Sequence, residues 1–125
     1  MEVKSLSLEE IRYLVLKKAE EYPSVAIRRV LRDLKLPQIR SKTIELVRYC
    51  LALEDLGFPI TSHTACFIDR GEVTKEKVVV VLTRLHNLGD KHVLTLLRKD
   101  GNNLRWIVSP LFRKKLEEIK RGVES

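Results

Sequence analysis

Histidine, cysteine and acidic side chains are the groups in this chain whose types could support metal binding or catalysis. His63 and Cys66 lie three residues apart, so one face of a helix would present both. Cys50, His86 or His92 could complete a zinc site with them. The paired Cys-x-x-Cys spacing of structural zinc sites is absent, however. We therefore expect no metal and no cofactor, with cysteines in the core and histidines on the surface.

The sequence also lacks the short motifs that accompany common enzymatic chemistry. It has neither a glycine-rich phosphate loop nor the strand-turn-helix motif of a nucleophilic serine. Its adjacent acidic pairs fall in charge-rich helical segments, where solvated faces are commoner than acid–base pairs. These pairs are Glu9-Glu10, Glu20-Glu21, Glu54-Asp55 and Glu117-Glu118. We therefore expect that the protein is not an enzyme.

Basic residues point to a different kind of function. The net charge is +7, which favours a polyanionic partner such as nucleic acid. Residues 1–40 carry a net charge of +3, residues 41–90 a net charge of −1, and residues 91–125 a net charge of +5. The positive charge is therefore concentrated towards the two ends of the sequence.

One basic cluster has the spacing of a helical face. Arg28, Arg32 and Lys35 follow one another at intervals of four and three residues, and Arg40 and Lys42 come shortly afterwards. Such residues at a helix, a turn and a second helix start suit contacts with phosphate or base edges. A solvated basic face explains the same pattern, and the turn contains no glycine. This basic patch is thus an alternative nucleic-acid surface.

Helical patterns dominate the first half of the chain. Ser7 and Glu10 form a capping-box signal that begins a helix, and Pro23 ends it. Ser24 is predicted to cap a second helix, to about residue 34. A third is predicted over 41–56, with Gly57 as its C-terminal stop. Its apolar residues lie on two sides, which is typical of a central helix. Residues 1–40 are therefore assigned to an N-terminal helical extension.

The second half combines helices with a hairpin. A short helix is predicted over 61–69, and a long one, with Thr74 as its N-cap, extends through Leu88. Two runs rich in β-formers, 92–98 and 104–108, flank the turn dipeptide Asp100-Gly101. Ser109 and Pro110 then suit the start of a last helix.

This order of elements resembles the winged helix-turn-helix superfamily over about residues 41–110. The stretch SHTACFIDRGEVTKEKVVVVLTRLHNLGDKHVLTLLRKDGNNLRWIVSP looks like its core. Gly71-Glu72-Val73-Thr74 is similar to its turn and helix start, and residues 98–105 to its wing. The resemblance implies a mainly α fold with a small β-hairpin. Residues 111–125 would form an additional C-terminal helix, and all parts would make one compact domain.

The resemblance also implies double-stranded DNA binding, and with it a role as a transcriptional regulator. In such folds the long helix enters the major groove, and the wing contacts phosphate or the minor groove. The expected contacts are Lys75, Lys77, Thr83, Arg84, Asn87, Arg98, Lys99, Asn102, Asn103 and Arg105. Val79 and Val80 lie on the outward side of the same helix. They would contact either a thymine methyl group or another protein surface.

Two other classes of function remain open. Winged helices also serve as protein-interaction modules inside larger assemblies, and the outward valines favour this function. RNA or single-strand binding is disfavoured because aromatic residues make up only 6% of the chain. We further expect a homodimer or a protein partner contacting the first and last helices, no membrane association and a cytoplasmic location. The composition, 33% charged, is typical of heat-adapted proteins.

Overall fold

The computed structural model describes residues 6–35, 39–70, 72, 74–86, 93–100 and 103–124. Within these ranges the protein is mainly helical, which confirms the coarse fold class expected from the sequence. The elements are α1 (Leu8–Ala19), α2 (Ser24–Asp33), α3 (Ser41–Asp55), α4 (Ser62–Asp69), α5 (Lys75–His86), β1 (Leu94–Asp100), β2 (Asn103–Val108) and α6 (Pro110–Glu124).

Helix α3 lies at the centre of the structure. Helices α1, α2 and α4 and strand β2 all pack against it. Its apolar residues are buried on both sides, with Ile44, Val47 and Leu51 on one and Leu46 and Cys50 on the other. A helix that is apolar on two sides can bury both only between other elements. The central position predicted for this helix is confirmed.

The N-terminal helices are joined to α3 by polar contacts as well as apolar packing. The capping box is formed as predicted, with Ser7 and Glu10 bonded to each other's backbone N–H groups. Arg48 of α3 donates to the carbonyl oxygens of Ala19 and Tyr22, at 3.0 and 2.7 Å. Ala19 is the last residue of α1, and its carbonyl also accepts from the Tyr22 N–H at 3.0 Å, whereas the Tyr22 carbonyl lies in the turn before α2. Pro23, and not the predicted residue, occupies the N-cap of α2, and no side chain caps that helix.

Gly57 ends α3 in the left-handed conformation, with φ of 81°. The Phe58 N–H donates to the Leu53 carbonyl at 2.9 Å, and the Gly57 N–H donates to the Glu54 carbonyl at 3.0 Å. This pair of bonds is a Schellman motif, which satisfies carbonyls that the helix leaves unpaired. The predicted glycine stop is therefore confirmed, and it directs the chain towards α4.

Strands β1 and β2 pair in antiparallel register, ending with Asp100 opposite Asn103. The sequence predicts a turn over 99–103, between the two β-forming runs. This turn is too long at both ends, because Lys99, Asp100 and Asn103 continue the strands. Residues 101–102, including the predicted contact Asn102, lie outside the described residues.

Two further backbone contacts fix this sheet to the helices. Ile60, just before α4, forms a single antiparallel bridge with Trp106 of β2. In this bridge the Trp106 N–H donates to the Ile60 carbonyl at 2.9 Å. At the other end, the N–H of Val93, the residue before β1, donates to the carbonyl of Leu85 in α5 at 2.9 Å. The sheet is thereby bonded to the chain on both sides of the α4–α5 segment.

A polar cluster holds α6 and β2 against the end of α3. Arg113 of α6 contacts Glu54 and Asp55, each at 2.9 Å, and the Tyr22 hydroxyl at 3.3 Å. The hydroxyl of Tyr22 donates to Asp55, and the second oxygen of Glu54 accepts from the Val108 N–H at 2.7 Å. The Glu54-Asp55 pair, predicted to be solvated, is therefore only partly so. Contacts with residues distant in sequence partly enclose both carboxylates.

Among the helices that the structure describes, none has the length and apolarity required to cross a bilayer.

Arg113 provides a test of this cluster. We expect Arg113→Met to lower the free energy of unfolding by about 2 kcal/mol, because it leaves two partly enclosed carboxylates without their cation. Urea denaturation measures the change. The neighbouring Lys114 is exposed, and Lys114→Met should change stability by less than about 0.5 kcal/mol. Equal losses in the two variants would contradict a role for the cluster.

Candidate nucleic-acid interface

Helix α5 presents a face with basic, acidic and apolar residues to solvent. Val78, Leu82 and Leu85 are fully buried against the core. The Thr74 hydroxyl accepts from the Lys77 N–H at 3.3 Å, so the predicted N-cap contact is present. The exposed residues on the opposite side of the helix are Glu76, Lys77, Val80 and Arg84.

The two outward valines of α5 have different environments. Val79 is half-buried and, together with Leu82, Leu104 and Trp106, lines a small cavity at the sheet. Val80 is 57% exposed. Burial against the sheet thus explains the apolar side chain at Val79. It does not explain the one at Val80, which lies at the centre of the solvent-facing side of the helix.

The start of α3 and the outward face of α5 form the two walls of a cleft of about 350 Å³. Arg40, Lys42 and Thr43 line one wall. Lys77, Val80, Val81 and Arg84 line the other. The cleft therefore brings part of the alternative basic patch together with two of the cations expected on the long helix. No sequence pattern indicated this, because the two segments are more than thirty residues apart.

Three cations of the cleft have no acidic partner among the described residues. Arg40, Lys77 and Arg84 are exposed, and the structure gives them neither an ion pair nor a side-chain hydrogen bond there. Many other cations in the described ranges are engaged in contacts within the protein. These engaged residues are Arg12, Lys18, Lys42, Arg48, Arg70 and Arg113. Arg40, Lys77 and Arg84 are therefore available to an external anion.

Lys42 has a structural role within the same cleft. Its ammonium group contacts Asp69 and Glu72 at 2.8 Å each and Glu45 at 2.9 Å. The side chain of Asp69 is only 1% exposed. Burial alone would lower the pKa of Lys42, but its hydrogen bonds to Asp69, Glu72 and Glu45 raise that pKa well above its ordinary value. Lys42 thus links the start of α3 to the end of α4 and to the turn before α5.

This contact changes the interpretation of Lys42 as a phosphate-binding residue. Three carboxylates already surround its ammonium, so it contributes little unpaired positive charge to the cleft. The oxygens of Glu45, Asp69 and Glu72 lie within 4.8 Å of one another, a spacing that a metal ion can also use. Because Lys42 contacts all three, an ammonium group occupies the position that such an ion would need.

The histidine and cysteine candidates do not form a comparable group among the described residues. Cys50 is fully buried and Cys66 half-buried, and they form no disulfide. Burial raises the pKa of the Cys50 thiol to about 12, so its thiolate is scarce at neutral pH. His63 is exposed on α4. The side chain of His86 and the whole of His92 lie outside the described residues.

The remaining expected contacts are distributed over α5 and the sheet. Arg105 is exposed on β2, and its position pairs with that of Arg98 in the register of the sheet. Thr83 is half-buried. Asn87 lies outside the described residues, and so do the side chains of four residues whose backbone is described: Lys75, Arg98, Lys99 and Asn103.

The remaining part of the alternative patch lies on and just after α2. Arg28 is half-buried, whereas Arg32 and Lys35 are exposed, and none has an acidic partner among the described residues. These three residues do not line the cleft. The alternative patch is therefore divided, because only Arg40 and Lys42 lie beside α5.

Comparisons of the chain with protein-family models, with curated proteins and with solved structures return no match. The geometry and charge of the residues described above therefore remain the guide to what the protein does.

Replacing Lys42 tests the assignment of a structural role. Lys42→Met removes the ion pairs with Glu45, Glu72 and the buried Asp69, and we expect the free energy of unfolding to fall by about 2 kcal/mol. Arg40→Met removes a nearby exposed cation without a partner, so its stability should stay within about 0.5 kcal/mol of the unmodified protein. Urea denaturation of both variants gives the comparison. Similar stability in the two would mean that the ion pairs of Lys42 contribute nothing measurable.

Proposed function

We propose that this protein binds double-stranded DNA through a winged helix-turn-helix and acts as a transcriptional regulator. The proposal assigns α3, α4 and α5 to the helical core, α5 to the major groove, and β1 with β2 to the wing. The bridge between Ile60 and Trp106 supports this assignment, since it bonds the sheet to the segment that leads into α4. The N-terminal helices α1 and α2 and the C-terminal helix α6 are additions to that core.

The observation that carries the proposal is the cleft between α3 and α5. Three exposed cations without acidic partners among the described residues, Arg40, Lys77 and Arg84, lie around a single concave surface. Phosphate oxygens are the usual partners of such residues in protein–DNA interfaces, where they position the protein on the duplex. Arg105 on β2 adds an exposed cation to the strand assigned to the wing.

A duplex fits this surface better than a single strand does. Proteins that bind single strands stack the bases on exposed aromatic rings. No aromatic residue lines the cleft, and Trp106 of the sheet is buried. An exposed face on a helix of twelve residues instead suits the width of the major groove.

A second candidate function is a protein-interaction module. Leu8 and Tyr13 of α1 are 67% and 61% exposed, and Leu14 is also exposed. Large apolar side chains at the surface of one helix are typical of a contact with another chain. This observation supports α1 as the contact in a homodimer or with another protein, and it is compatible with DNA binding through α5.

Salt dependence tests the proposed function directly. We expect binding to a random-sequence duplex to weaken steeply with salt, because each phosphate contact releases condensed counterions. Three contacts from Arg40, Lys77 and Arg84 give a slope of log K against log salt near −3, at about 0.9 per contact. Fluorescence anisotropy measures this slope from about 50 to 300 mM salt, the range in which phosphate contacts weaken. Absence of binding at the lowest salt would contradict the proposal.

Charge reversal tests where the DNA binds. The double variant Lys77→Glu/Arg84→Glu should lose at least tenfold in affinity and flatten the salt slope by about two. The variant Lys114→Glu/Arg121→Glu changes the net charge equally on exposed positions of α6 and should bind nearly as well as the unmodified protein. If Arg28→Glu/Arg32→Glu abolishes binding and the α5 variant does not, the interface lies on α2.

A further inference from the structure

Val80 is an apolar residue in the middle of the charged surface of α5. It is 57% exposed and lies opposite the buried Val78, Leu82 and Leu85. Lys77 comes three residues before it and Arg84 four residues after it, so both lie on the same face, one turn away in either direction. The cleft therefore presents an apolar contact between two cations.

The chemistry of this surface restricts what it can bind well. A complementary partner carries negative charge on both sides of an apolar group, at about the spacing of successive helix turns. Duplex DNA has this arrangement where thymine is present, because the C5-methyl group is the apolar feature of the major-groove edge and phosphates border the groove. Cytosine presents an amino group on that edge and lacks the methyl group.

We propose that Val80 contacts thymine C5-methyl groups and gives the protein a preference for duplexes that carry a methyl group at that position. The inference rests on the proposed function, since it requires α5 to lie in the major groove. It adds a base preference to an interface whose exposed cations, Arg40, Lys77 and Arg84, suit phosphate, although Glu76 on the same side of α5 does not. Val80 is then a specificity-determining residue, and the cations supply affinity that does not depend on sequence.

The experiment compares two duplexes that differ only in the methyl group. One is an alternating A·T duplex, and the other has deoxyuridine in place of every thymidine. The charge and the Watson–Crick pairing are the same in both. We expect the thymine duplex to bind roughly fourfold more tightly for each methyl group that Val80 covers, as for burial of one methylene group. G·C duplexes with and without 5-methylcytosine provide a second comparison, because that base carries its methyl group at the same ring position.

Variants locate the effect. Val80→Ser removes the apolar contact and should abolish the preference for thymine over uracil while leaving the salt slope unchanged. Val25→Ser is the matched control, because Val25 is 79% exposed on α2, away from the cleft, and this variant should keep the preference. Lys77→Glu/Arg84→Glu should weaken binding to both duplexes by the same factor.

The possible outcomes separate this inference from the proposed function. Equal affinity for the thymine and uracil duplexes, with steep salt dependence, overturns the inference and leaves DNA binding intact. A preference that persists in Val80→Ser overturns the role of Val80. Absence of duplex binding overturns both proposals and favours a protein partner for this face. Circular dichroism checks that Val80→Ser is folded. If it is not, the unmodified protein is compared on G·C duplexes with and without 5-methylcytosine. Tighter binding to the methylated duplex supports the inference, and equal binding overturns it.

Discussion

The burial of α3 on two sides is the constraint on which the other elements depend. Ile44, Leu46 and Leu51 have almost no contact with solvent, so the helix is stable only if neighbours cover both of its faces. Helices α1 and α2 and strand β2 meet this requirement together with α4. The start of α3 is consequently held close to α5, although the two segments are far apart in the sequence. The cleft is a geometric result of how the core is buried.

The cations of the protein divide into two groups with different roles. Lys42, Arg48 and Arg113 connect elements, and each contacts acidic side chains or carbonyl oxygens that are poorly solvated. Among the described residues, Arg40 and Arg84 have no such contacts. Net charge alone does not distinguish these groups, since all contribute equally to it. A strongly basic sequence can thus hold many cations that are unavailable to a ligand, and the size of the available group decides how strongly an anion binds.

Local patterns predicted much of the helical structure, including the capping box at Ser7 and the glycine stop after α3. These signals act within about four residues, where the physics of helix ends is decided. The ion pairs of Lys42 with Asp69 and Glu72 join positions 27 and 30 residues apart, and no local rule relates such positions. The cleft escaped prediction for the same reason. Helical periodicity did indicate that Val79 and Val80 face outward, but the packing of β2 was needed to tell them apart.

Glu54 has a further consequence for the mechanics of the protein. One oxygen of its carboxylate accepts from the backbone of Val108 at the end of β2, and the other binds Arg113 in α6. A shift of the sheet relative to α3 must therefore break or stretch the hydrogen bond between Val108 and Glu54. Strand β2 and α6 are also joined directly, since only Ser109 separates them in the sequence. The Glu54 carboxylate therefore holds the junction of the sheet and the C-terminal helix against the end of α3.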